Sequence, residues 1–343
     1  MLIRARAPLR LGFAGGGTDV APYCDLHCGA VLNATIDLYA YCTIELSRDG
    51  AIHFVASDVG ESVSYGKVAS VPKDGPLPLH SGVYNRIVAQ FNEGKPLAIT
   101  VTTFCDAPPG SGLGSSSTLV VAMVQAFGEL LSLPFGEYDI ASLAYQIERE
   151  DLGLHGGRQD QYAAAFGGFN FMEFNGKDHV LVNPLRVKDW VVSELESSLI
   201  LLYTGRSRDS AAIIAEQSRN VECNNQRAID AMHQTKRDAF IMKECLLRGD
   251  IRLLGAAMES AWQTKKEMAG SISNERIEGF YRVAKDAGAY CGKVSGAGGG
   301  GFMMFLVDIK DKLRVIDALT AIHEASVVGC HFTSSGVESW RLR

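Results

Sequence analysis

The segment Pro108-Pro109-Gly110-Ser111-Gly112-Leu113-Gly114-Ser115-Ser116-Ser117 constrains the chain more than any other. Three glycines, four serines and two prolines in ten residues continue neither a strand nor a helix. Before it, residues 97–104 are rich in Thr, Val and Ile, as a strand is. After it, residues 118–131 form a strongly apolar helical run. Strand, small-residue loop and helix start together make an anion cradle. Backbone without Cβ atoms approaches phosphate oxygens closely, the free N–H groups of the first turn point at the anion, and the helix dipole adds attraction. Serine hydroxyls add donors or a Mg²⁺ ligand. The spacing is neither G-x-x-x-x-G-K-[ST] nor G-x-G-x-x-G, so this is neither a Walker A loop nor a Rossmann turn. Pro109, Gly110, Ser111, Gly112, Leu113, Gly114, Ser115, Ser116 and Ser117 are the candidate phosphate-binding residues. The bland alternative, a flexible Gly/Ser linker, fits poorly between a strand and an apolar helix.

At 343 residues the chain exceeds one ordinary domain, which predicts two lobes or one large α/β unit. Hydrophobic residues are 47% and charged residues 21%, as in soluble globular proteins. A net charge of -6 and a pI near 5.8 argue against a nucleic-acid partner. Eight cysteines are scattered among core-like residues and read as reduced thiols. Cys24 and Cys28 with His27 are too few ligands for zinc. No stretch of about 18 apolar residues predicts a membrane span, and residues 1–8 hold no apolar run of signal-peptide length. The expected location is the cytoplasm.

Patterning predicts strands at 2–6, 38–48, 51–56, 61–65, 168–174, 179–183, 198–204, 290–294, 302–308 and 331–337. Helices are expected at 80–92, 138–150, 159–166 and 312–325, and from 210 to about 287 with breaks near Gly249 and Gly270. The change of character near residue 200 divides the chain into 1–200 and 201–343.

Two further glycine-rich segments stand near the ends. The first is Ala7-Pro8-Leu9-Arg10-Leu11-Gly12-Phe13-Ala14-Gly15-Gly16-Gly17-Thr18-Asp19. Its glycines let backbone approach a ligand, and Asp19 is a natural acceptor for sugar hydroxyls. The second is Lys293-Val294-Ser295-Gly296-Ala297-Gly298-Gly299-Gly300-Gly301-Phe302, between two strand-like runs, and reads as a tight turn beside a ligand. Between these motifs lie two acids, Glu148 and Asp160, separated by a glycine-rich turn that lets them converge.

The three glycine motifs, in this order, resemble the signatures of the GHMP kinases, the superfamily of galactokinase, homoserine kinase, mevalonate kinase and phosphomevalonate kinase. The family pattern P-x3-G-L-G-S-S is matched in place by Pro108 to Ser116. The resemblance implies an α+β fold with an N-terminal domain like ribosomal protein S5 domain 2 and a ferredoxin-like C-terminal domain. It implies an active site between them that uses ATP and Mg²⁺. By the same resemblance Asp160 accepts the hydroxyl proton, Arg10 stabilises charge on the transferring phosphoryl group or tunes that base, and Ser116 with Glu148 holds Mg²⁺. Glu150 and Asp151 are the competing acids. Gly16, Gly17, Thr18 and Asp19, with Ser295, Gly296, Ala297 and Gly298, are the implied substrate-side residues, and Lys293 is structural. Galactokinases have Gly-Glu-His-Thr-Asp where this chain has Gly-Gly-Gly-Thr-Asp, which speaks against galactose.

Within the superfamily the chain resembles the bacterial D-glycero-D-manno-heptose 7-phosphate kinases. The likeness rests on Arg4-Ala5-Arg6-Ala7-Pro8-Leu9-Arg10, Gly157-Arg158-Gln159-Asp160-Gln161-Tyr162 and Tyr203-Thr204-Gly205 before Arg206 and Arg208. It implies phosphorylation of the anomeric hydroxyl of a phosphorylated heptose, for surface polysaccharide synthesis. Arg206 and Arg208 are the expected receptors of the acceptor's phosphate, with Lys265, Lys266 and Arg158 as further candidates, against the plainer reading of solvated loop arginines. The alternatives are a kinase of a neutral sugar of the fucose or galactose type, and a non-catalytic regulator on the same fold. Expected partners are ATP and the sugar phosphate, with a second copy of the chain as a candidate and neither nucleic acid nor membrane.

Overall fold

A computed structural model describes residues 2–177, 179–205 and 210–342. The first stretch of chain runs β1 (Leu2–Ala14), α1 (Tyr23–His27), β2 (Gly29–Leu46), β3 (Ile52–Ala56), β4 (Glu61–Tyr65), α2 (Pro78–Phe91) and β5 (Ile99–Cys105). It continues through α3 (Ser115–Leu131), α4 (Glu137–Gln146), α5 (Gln159–Phe166), β6 (Phe169–Phe174) and β7 (Val180–Pro184). Then come α6 (Asp189–Ser198), β8 (Leu199–Tyr203), α7 (Ser210–Glu222), α8 (Gln226–Arg248), α9 (Ile251–Lys265) and α10 (Glu275–Asp286). The chain closes with β9 (Ala289–Val294), β10 (Phe302–Val307), α11 (Lys312–Thr320), β11 (Ser326–Val328) and β12 (Glu338–Leu342).

Two sheets organise these elements. The larger has eight strands in the order β12-β1-β2-β5-β3-β4, with β6 paired to β2 and β7 to β6. The smaller is β11-β8-β10-β9, antiparallel throughout. β1 and β2 exceed their predicted lengths for one reason. Residues 7–14 of β1 and 29–36 of β2 are buried on both faces, so alternation is lost there and survives only where one face is wet. β2 is long because residues 40–46 pair with β5 while residues 29–34 pair with β6. The β1–β2 register slips between Pro8 and Arg10, a bulge of the kind that re-aims a side chain.

The core is layered. One cluster packs α2, α3 and α4 on the large sheet through Phe54, Tyr84, Val121 and Phe127. A second joins Leu9, Leu11 and Leu32 of the large sheet to Met242, Leu254 and Met304. A third covers the far face of the small sheet with Trp262, Phe280 and Phe305. β10 therefore alternates between two apolar layers and is apolar at all six positions.

Three expectations need correction. Residues 331–337 are not a strand; Phe332 makes one bridge to Ile36, and the last strand is β12, paired with residues 2–6 of β1. β12 is a half-exposed edge with little apolar periodicity, which hides it. Residues 189–198 form the unexpected α6, held by Val191 and Leu195. The helix expected at 138–150 changes at Gln146 into a π-helical turn, Ile147–Asp151. No helix among the described residues is long and apolar enough to cross a membrane.

Candidate active site

The phosphate loop takes its shape from its glycines. Gly110, Gly112 and Gly114 have φ of 70°, 80° and 79°, the left-handed region where other residues are strained. Gly114 caps α3, whose first internal bond runs from the Thr118 N–H to the Gly114 carbonyl. The N–H groups of Ser115, Ser116 and Ser117 thus have no partner within the helix. Pro109, Gly110, Gly112, Gly114, Ser115, Ser116 and Ser117 line a cleft of about 490 Å³. Ser111 and Leu113 stand behind it, fully buried, as struts. The Ser111 carbonyl accepts from the Phe302 N–H (2.8 Å) and the Leu113 carbonyl from the Arg10 N–H (3.1 Å).

The C-terminal glycine run packs directly on this loop. A Cβ added to Gly112 would lie 2.4 Å from the Ser295 carbonyl oxygen, and one on Gly296 would lie 2.7 Å from that of Gly112. Two backbones meet with no side chain between them. Gly296 and Ala297 line the cleft, whereas Gly298 packs against Ile272.

Arg10 and Asp160 meet at the junction. The Arg10 Nε donates to Asp160 Oδ1 at 2.7 Å, and its Nη1 donates to the Gly112 carbonyl at 2.6 Å. Arg10 is 3% exposed, and the Asp160 side chain is open enough to face the cleft. The bulge in β1 places the arginine, and the first turn of α5 places the acid. The carboxylate lies against Gly114, where an added Cβ would stand 3.0 Å from its carbon. An acid held by a buried guanidinium, beside a helix start built for phosphate, is suited to phosphoryl transfer to a hydroxyl.

Asp19 shapes the part of the cleft beside Gly16 and Gly17. Its Oδ2 accepts from the N–H groups of Arg158 (2.9 Å) and Gln159 (3.1 Å), and Oδ1 from that of Gly17 (3.1 Å). It thereby caps α5 from a distant segment while still lining the cleft with Gly16 and Gly17. Thr18 is fully buried, and its hydroxyl ties Gly15 to Ala30.

Glu148 sits on the π-helical turn, 2% exposed. Its carboxylate accepts from Ser117 Oγ (3.0 Å) and Gln161 Nε2 (2.6 Å). Burial pushes this carboxyl above its ordinary value, only partly offset by Arg149 and these donors. Ser117, rather than Ser116, is hydrogen-bonded to Glu148, and the exposed Ser116 shares the cleft with both.

The profile described as GHMP kinases N terminal domain matches residues 79–168, and that described as GHMP kinases C terminal matches residues 242–325. The chain is 48% identical over 340 residues to D-glycero-alpha-D-manno-heptose 7-phosphate kinase of Campylobacter jejuni subsp. jejuni serotype O:2, covering 99% of each. This chain belongs to the GHMP kinases. It is a phosphotransferase with a hydroxyl acceptor, and a kinase of this family uses ATP. Among solved structures it is similar to a D-glycero-D-manno-heptose 1-phosphate kinase from Bacteriodes thetaiotaomicron, at 44% identity and a TM-score of 0.85 over 99% of both chains. It shares the fold of Lactococcus lactis galactokinase at 17% identity, with a TM-score of 0.75 over 98% of this chain and 95% of that one.

The remaining cations of this GHMP kinase divide sharply. Lys265 is buried on the cleft wall, where its Nζ donates to the Gly296 carbonyl at 2.6 Å. Burial, then the Arg10 charge, lowers its pKa to about 8. Lys293 is also buried, and its ammonium bonds the carbonyls of Gly12 and Phe13, pinning the end of β1. Arg158 is spent on the Gly176 carbonyl and Asp25, and Lys266 on Glu278. Arg206 and Arg208 lie outside the described residues. Sequence reasoning passed over Arg149, Gln159 and Gln217, all on the cleft wall. Nothing distinguishes Arg149 and Gln217 in the sequence from ordinary polar residues, while Gln159 lies in the Gly157-to-Tyr162 run without a role read for it.

Proposed function

We propose that this chain phosphorylates the anomeric hydroxyl of D-glycero-D-manno-heptose 7-phosphate with ATP, and that the 1,7-bisphosphate formed feeds surface polysaccharide synthesis in the cytoplasm. The observation that carries the reading is the Arg10–Asp160 pair at the mouth of the phosphate loop, in a chain 48% identical to the Campylobacter 7-phosphate kinase. The phosphate loop holds the donor through its backbone N–H groups and serines. Asp160 orients the acceptor hydroxyl and takes its proton, while Arg10 keeps that carboxylate in place. Asp19, Gly16 and Gly17 bound the acceptor, with Gly296 and Ala297 opposite. On this reading residues 1–200 carry the donor machinery and residues 201–343 complete the acceptor wall.

Glu148 fits a divalent cation: it is a buried carboxylate whose charge is under-compensated, beside Ser117 and open to the cleft with Ser116. Mg²⁺ held there by Glu148 and Ser116 would neutralise the β- and γ-phosphate oxygens. Arg206 and Arg208 directly precede α7, whose Ser210 and Ala211 line the cleft, and we assign them to the 7-phosphate.

The names of the two heptose-kinase relatives differ, one naming the 7-phosphate and one the 1-phosphate. An ADP-release assay across heptose 7-phosphate, heptose 1-phosphate and neutral heptose, fucose and galactose separates the readings, and NMR locates the new phosphate. Turnover of the 7-phosphate with a new anomeric phosphate is expected. Preference for a neutral sugar, or a new phosphate elsewhere, overturns the assignment. Arg208→Ala should raise KM for the sugar phosphate and leave KM for ATP unchanged.

A further inference from the structure

Two buried side chains on the acceptor wall lack hydrogen-bond partners among the described residues. Gln217, on α7, is 1% exposed, and neither its Oε1 nor its Nε2 has a hydrogen-bond partner among the described residues. Gln159, at the start of α5, is 8% exposed, and its Oε1 is equally without one. Both line the cleft. They converge on the Gly16-Gly17 backbone. A Cβ on Gly17 would lie 3.1 Å from Gln217 Oε1, and one on Gly16 would lie 3.7 Å from Gln159 Nε2 and 3.4 Å from Lys265 Nζ. Glycine at both positions leaves these three polar ends open to whatever enters.

Buried amides left unsatisfied oppose folding, and two that line a cleft are placed for a ligand to complete them. The unpaired atoms name the ligand's chemistry. Both Oε1 atoms are acceptors and need donors from the ligand. A phosphate dianion has no donor to give; sugar hydroxyls donate and accept. Gln217, with both amide ends unpaired, asks for a partner that does both.

We infer that Gln217 and Gln159, with the Lys265 ammonium beside them, form a polyol subsite that reads acceptor hydroxyls other than the one undergoing phosphorylation. The inference deepens the proposed function and rests on it for the sugar's identity. It makes Gln217 a specificity-determining residue on an element that no glycine motif marks.

The test replaces Gln217 with Met, which keeps length and removes both polar ends. Steady-state kinetics are run with whichever sugar the wild type turns over, together with monodeoxy analogues of it. KM for the sugar should rise about tenfold, the equivalent of one lost hydrogen bond to a buried group, with KM for ATP within about twofold. One monodeoxy analogue, used about tenfold worse than the parent sugar by the wild type, should be used equally well by the variant. The ligand-free variant should melt no lower than the wild type, because an unsatisfied amide has been removed. Normal sugar KM, or a lowered melting temperature with both KM values moved together, overturns the inference. Gln159→Met repeats the test from the other side of the subsite, so a folding failure of one variant leaves a decision. If the wild type uses a neutral sugar, the heptose 7-phosphate reading fails while the Gln217 result still stands or falls on that sugar.

Discussion

Gly157→Ala is the sharpest steric probe of the site. Gly157 is not among the glycines in the left-handed region, so an alanine is not barred there by a positive φ. Its Cβ, however, would stand 1.9 Å from Asp19 Oδ2 and 2.6 Å from Asp19 Cγ. Asp19 cannot step aside freely: it is 2% exposed and holds three backbone N–H groups, two of them at the first turn of α5. Losing a cap costs about 0.5–2 kcal/mol, and hydrogen bonds to a charged group about 1.5–3 kcal/mol each. A stability loss of roughly 2–4 kcal/mol follows once partial relaxation is allowed. The larger effect is catalytic, because α5 carries Asp160 one residue beyond the broken bond. A displacement of about 1 Å in a reacting group costs up to about 100-fold in rate. Thermal melting and kcat from ADP release should therefore fall together. Gly279→Ala on α10, where an added Cβ meets nothing within 4 Å, is the matched control: it should leave kcat unchanged and melt no lower, since alanine favours a helix interior. Wild-type kcat and melting in Gly157→Ala would refute the view that Asp19 positions α5.

Two further outcomes are expected. Asp160→Asn keeps the side chain's size but removes the proton acceptor, so kcat should drop by about 10²–10⁴-fold with ATP affinity retained; near-normal turnover would remove Asp160 from the mechanism. Lys265, lowered from 10.5 to about 8 chiefly by burial, gives a pH signature. Below about pH 8 both folded and unfolded chains hold its proton, and the cost of burying the charge is fully present. Between about 8 and 10.5 the folded chain has released the proton and the unfolded chain has not, so stability rises with pH. The wild type should gain on Lys265→Met by on the order of 3 kcal/mol across that window, read by denaturant melts. Buried thiols such as Cys24 and Cys42 pull the other way, but they are common to both proteins and cancel. A flat difference would show that the ammonium is not desolvated.

The glycine motifs were readable because their physics is local. Gly110, Gly112 and Gly114 adopt left-handed angles, and loop composition announces that requirement before any contact is known. The pairing of Arg10 with Asp160 is not local; 150 residues separate them, and only the likeness to a kinase family brings them together in a sequence. Ser111, Leu113 and Thr18 share the motifs yet serve as struts behind the wall, a division that composition cannot express. Gln217 is the reverse case: it belongs to no motif, and its meaning lies in what is missing around it after folding. β12 escaped for a related reason, since an exposed edge strand is held by backbone pairing rather than by an apolar pattern.

That last strand has a mechanical consequence. The large sheet owns β1 to β7 and then β12, while the small sheet owns β8 to β11. The small sheet and its helices are thus an insertion, entered after Pro184 and left after Val328. Two tethers, rather than one, join it to the sheet that carries Arg10. A body hung on one tether swivels freely, but a body hung on two turns mainly about the line through both. Here even that turn is opposed, because Leu9, Leu11 and Leu32 of the large sheet pack against Met242, Leu254 and Met304 of the inserted body, and the backbone contact between Gly112 and Gly296 is held fixed between the two.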